Sequence, residues 1–111
     1  MGVETKNAVI THTMIGFQEN YRVLTYSIGL DCGGLFQNAG GICLGHEGKP
    51  ADVIFTEHFM GILQALGVDE WEKLSGTPCR VVFDAAHVYK IGHYLKDQWF
   101  TITEEKRDGG D

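Results

Sequence analysis

Five histidines (His12, His46, His58, His87 and His93) and three cysteines (Cys32, Cys43 and Cys79) are the side chains best suited to metal binding or nucleophilic attack. Their spacing speaks against both. The sequence contains no Cys-x-x-Cys, His-x-x-x-His or His-Glu-x-x-His, the short intervals at which zinc ligands recur. Cys43 stands near His46, but the partners of a catalytic cysteine meet in space and not in sequence. Gly40-Gly41 and Gly45-x-x-Gly48 lack the Lys-Ser/Thr that completes a phosphate-binding loop. Asp31, Asp84 and Asp97 fall near predicted strand ends, where they could converge as paired acids, though turn-forming aspartates occur there more often. A metal, a cofactor and a catalytic set are therefore not expected.

A binding role fits the remaining residues better. Gly33-Gly34-Leu35-Phe36-Gln37-Asn38-Ala39-Gly40-Gly41 sets two amide side chains among residues with no side chain, and such a strand lets another backbone or a flat ligand approach closely. The candidate binding residues are Gln37, Asn38, Gly40 and Gly41, with His12, Asp84 and His93 contributed by other strands. The alternative is that the glycines only let a sheet coil around its helix. If the third strand is an edge, pairing across it would give a homodimer.

These residues need elements to position them. Ala8 to Ile15 is rich in β-branched residues, with Ala8, Ile10, His12 and Met14 on one face. Arg22 to Leu30 alternates, with Leu24, Tyr26, Ile28 and Leu30 together, and forms a hairpin with the first strand. Leu35 to Leu44 makes a third strand kinked at Gly40-Gly41. Asp52 reads as the N-cap of a helix whose Phe55, Phe59, Ile62, Leu63 and Leu66 form one apolar stripe and which stops at Gly67. A short helical turn follows Asp69. Cys79 to Asp84 and Val88 to Leu95 form a second hairpin, with Trp99 and Phe100 covering the core edge. The predicted order β-β-β-α-β-β is an α+β domain over residues 1–103, an antiparallel sheet of about five strands covered by one main helix. The charged run Glu104 to Asp111 is read as a flexible tail.

The 111 residues suit one domain, and 43% hydrophobic against 22% charged residues is a globular balance. Fifteen acids against nine bases give a net charge of −6, which argues against general nucleic-acid binding and favours basic partners. No secretory signal or membrane-spanning run is read in the chain, and Lys6 spoils a myristoylation motif. The expected location is the cytosol, with reduced and mostly buried cysteines.

Four stretches resemble a family of small uncharacterised proteins encoded by tailed phages and prophages: Ile10 to Gly16, Gln37 to Leu44, Gly67 to Pro78 and Ile91 to Phe100. The resemblance spans Ile10 to Phe100, and its last two blocks are the most specific. Leu35-Phe36-Gln37-Asn38 departs from the Gly-Gln-rich stretch often found there in the phage relatives. The resemblance implies a phage accessory protein acting in the host cytosol, more as a non-enzymatic binder than as an enzyme. By analogy, the expected role is inhibition of a host defence system by binding a host protein or a small signalling ligand. Two alternatives stand beside it: a small nucleotide-binding protein or enzyme using the third strand, and a virion assembly component.

Overall fold

A computed structural model describes residues 2–18, 23–40 and 50–103. Its alternating, β-branched segments form β1 (Glu4–Gln18), β2 (Val23–Asp31), β3 (Phe36–Gly40), β4 (Pro78–Phe83), β5 (Val88–His93) and β6 (Trp99–Thr101), with one long helix, α1 (Ala51–Leu66), between β3 and β4. All neighbouring strands are antiparallel, in the order β3-β2-β1-β4-β5-β6. The α+β class and the helix-covered antiparallel sheet agree with the sequence. Trp99 and Phe100 belong to a sixth, edge strand, and Leu95 lies in the β5–β6 loop at 81% exposure instead of continuing the strand.

β1 holds the sheet together because it is long enough to pair twice. Its first half, Glu4 to Val9, pairs with β4, and Val9 to Gln18 pairs with β2. Between Ile10 and His12 the register slips, and Thr11 is the extra residue of a β-bulge. Ala8 and Ile10 point into the core, as the alternation predicts. After the bulge the parity inverts: His12 and Met14 are exposed on the opposite face instead of sharing one with Ile10. A single unpaired residue moves every later side chain to the other side of the sheet.

The helix covers the core face. Ile54, His58, Ile62, Leu63, Ala65 and Leu66 are buried there, and Phe55 and Phe59 flank them half-buried, so the stripe is centred a little off the predicted one. Facing them are Ile10, Tyr26, Ile28, Leu30, Val81 and Ile91. The helix begins after Pro50, whose ring sits readily at a helix start, and Asp52 lies inside the first turn instead of capping it. Gly67 ends it as predicted. Its φ of 73° is left-handed, and its N–H bonds back to the carbonyls of Leu63 and Gln64. The following turn, Trp71–Lys73, buries the Trp71 ring, stacked on Phe59 at 5.5 Å. No helix among the described residues is long and apolar enough to cross a membrane.

Candidate functional site

With α1 on one side, the other side of the sheet carries a continuous lateral row. Val9 pairs with Pro78 on β4 and with Asp31 on β2, and Asp31 pairs with Phe36 on β3. Val9, Pro78 and Asp31 each have a core residue as sequence neighbour (Ala8, Cys79 and Leu30), and Phe36 pairs with the outward Asp31, so all four side chains turn away from the helix. Tyr94, just after β5, extends the row beyond Pro78. Phe36 is 69% and Val9 45% exposed, and Tyr94 is also exposed. Asn7, Val9, Asp31, Gly33, Pro78 and Tyr94 line a shallow hollow of about 270 Å³ in this face. Asp31 Oδ1 accepts the Gly34 N–H at 2.8 Å, which ties the carboxylate to the β2–β3 turn.

A second row lies alongside. His12 pairs with Gly29, and Gly29 with Asn38. The His12 imidazole lies over Gly29, where an added methyl group would overlap it. Its Nδ1 is 3.0 Å from Thr11 Oγ1. Two of the predicted binding residues, His12 and Asn38, are thus brought to one face by a glycine that leaves room between them. Gly40 closes β3 with a φ of 80°, and a side chain there would come within 2.8 Å of the Tyr26 carbonyl oxygen. Glycine at this position answers to backbone geometry. Gln37 has the opposite parity from Asn38 and turns, half-buried, to the core side opposite Leu30. Gly41 lies outside the described residues, as do Cys43 and His46.

Asp84 and His93 go elsewhere. Asp84 is the turn residue between β4 and β5: Oδ1 accepts the N–H groups of Ala86 and His87, and Oδ2 accepts the Tyr89 hydroxyl at 2.6 Å. Those bonds hold its carboxyl below the usual carboxylate range, the Tyr89 hydroxyl most of all. His93 Nδ1 accepts the N–H groups of Leu95 and Lys96, and so pins the β5–β6 loop. Arg80 clamps the same loop by donating to the carbonyls of His93 and Lys96, with its guanidinium 4.7 Å from the Trp99 ring centroid. Phe83, next to Asp84, pairs with Glu4 at the end of β1 remote from His12. At roughly 3.3 Å per strand residue, Asp84 and His12 cannot share a pocket.

The buried nucleophiles are quiet. Cys79 pairs with Ala8, and Cys32 follows the Asp31 that pairs with Val9, so the two thiols flank β1 from either side. Two strand spacings, about 9.5 Å, exceed the reach of a disulfide. Burial pushes the Cys79 thiol up to about 12 and raises that of Cys32, which leaves both protonated and poor nucleophiles. Sequence reasoning missed one buried polar pair. The Tyr26 hydroxyl and His58 Nδ1 are 2.7 Å apart beneath α1, beside Phe100. Desolvation there raises the Tyr26 pKa. Among the described residues, no group of three or more His, Cys, Asp or Glu side chains is placed to hold a metal ion.

It also missed the alignment of Val9, Phe36, Pro78 and Tyr94, which depends on strand order, and no single segment encodes that order. No family model, no curated protein and no solved structure matches this chain.

Proposed function

We propose that this chain is a non-enzymatic binding protein that docks a protein partner on the sheet face opposite α1, and that it is a phage accessory protein acting on a host protein in the bacterial cytosol. The observation that carries the docking reading is the composition of the two rows. Tyr94, Pro78, Val9, Phe36, His12, Gly29 and Asn38 are uncharged or weakly basic, and Asp31 is the only Asp, Glu, Lys or Arg among the eight. In a chain with a net charge of −6, two rows so poor in charge have the makeup of an interface centre, where charged residues are depleted and aromatics enriched. Arg80 and Lys90 of the same face lie outside them on β4 and β5. The phage setting rests on the resemblance of the four sequence blocks, and a defence inhibitor is the role that setting favours.

A homodimer is a second reading, favoured by β3. Among the described residues this strand is paired on one side only, and it presents Phe36 at the sheet edge. Phe36→Ser combined with Val9→Ser tests both readings, since neither side chain supports the core. The double variant should keep the wild-type circular dichroism and thermal midpoint. It should lose a defined partner that the wild type retains from bacterial lysate, or lose a doubled native mass. A variant that binds as the wild type does would contradict the docking surface.

A further inference from the structure

Resting on that docking surface, we infer that the hollow between Tyr94 and Asp31 receives a basic side chain of the protein partner. Three features of the hollow carry this. Among the described residues, the Asp31 carboxylate is the only charge in its lining, with Asn7, Ala8, Val9, Gly33, Pro78 and Tyr94 around it. Oδ1 is held by the Gly34 N–H, so the anion has a fixed position and is built for directional pairing with a cationic donor. On the opposite rim stands the exposed Tyr94 ring, three strand spacings from Asp31, a surface for the apolar part of the same side chain and its backbone.

The walls between these two groups are apolar. Val9 and Pro78 offer contact to a methylene stem while the charged head reaches Asp31, which is how long basic side chains lie along a surface. A carboxylate partner is disfavoured in the same place by Asp31 and by the chain's overall negative charge of −6. At about 270 Å³ the hollow has room for one such side chain and its flanking backbone but is shallow for a larger organic ligand. The occupant is therefore an arginine or lysine projecting from a partner protein, seated at the centre of the row with apolar partner residues on Phe36 and Val9.

The test is titration of the isotope-labelled protein with N-acetyl-arginine methylamide, followed by amide shifts, with the neutral norleucine and acidic glutamate analogues as controls. The arginine probe should move the resonances of Asn7, Asp31, Gly33 and Tyr94 and leave those of α1 unchanged. Asp31→Asn, which keeps the acceptor for Gly34, should weaken this response roughly two- to fivefold, the size of effect an exposed ion pair supplies. About 0.5 M salt should abolish the difference between the two proteins. Equal shifts with the norleucine analogue, an unchanged response in Asp31→Asn, or no localised shifts would overturn the inference. If the arginine probe fails while the Phe36/Val9 variant still loses its partner, the basic anchor falls and the docking surface stands. If the probe binds but that variant keeps its partner, the docking surface falls instead.

Discussion

Individual side chains in this protein are explained by parity and by turns. The sequence offers Asp84 both as a candidate binding residue and as a turn aspartate, and its three accepted hydrogen bonds show the turn use and why a carboxylate is needed there. Because its folded pKa is depressed, the unfolded chain binds the proton more readily. The stabilisation is therefore present above the ordinary carboxylate pKa and is lost as pH falls through the lower folded value. Urea unfolding measured from about pH 5 down to pH 2 should show the wild type losing stability as pH falls below the ordinary carboxylate value. Asp84→Asn should start less stable at neutral pH and decline less steeply. Parallel slopes for the two proteins would remove the role given to Asp84. The bulge at Thr11 was not legible: His12 and Met14 continue an alternation begun at Ala8, and only pairing with β2 reveals the extra residue that turns them outward. Gln37 and Asn38, adjacent in sequence, separate to opposite faces for the plainer reason that successive strand residues always do.

At the scale of elements, the helix is legible from its apolar stripe and its Gly67 stop, and its phase can be measured. The sequence places Phe59 at the centre of the apolar stripe. In the structure Ile62 holds that place at 0% exposure, while Phe59 is half-buried and stacks between Phe55 and Trp71. Ile62→Ala should cost about 2–5 kcal/mol and Phe59→Ala roughly 1.5–3 kcal/mol, less than a fully buried phenylalanine, because part of its ring already faces solvent. Chemical denaturation of both variants checks the order, and a larger loss for Phe59→Ala would mean the helix is rotated from this packing. The hairpins were legible from alternation and Gly-rich turns. The sixth strand was not, because Trp99–Thr101 is too short to show a period and owes its place to pairing with β5.

For the whole molecule, the sequence conveyed class and charge but not the open face. The row from Tyr94 to Phe36 draws on residues from β1, β2, β3, β4 and the β5–β6 loop, brought together by the strand order β3-β2-β1-β4-β5-β6. Two of the predicted binding residues, His12 and Asn38, fall beside it, while Asp84 and His93 serve turns elsewhere. The helix side offers a natural control, since Met60 is also exposed and apolar but stands on the opposite face of the molecule. The most direct measurement is site-specific photo-crosslinking in bacterial cells, with p-benzoylphenylalanine placed in turn at Phe36, Val9 and Met60. The docking account predicts the same single adduct, to one protein partner, from positions 36 and 9 and none from position 60. Adducts from position 60 alone, or none from 36 and 9, would contradict it.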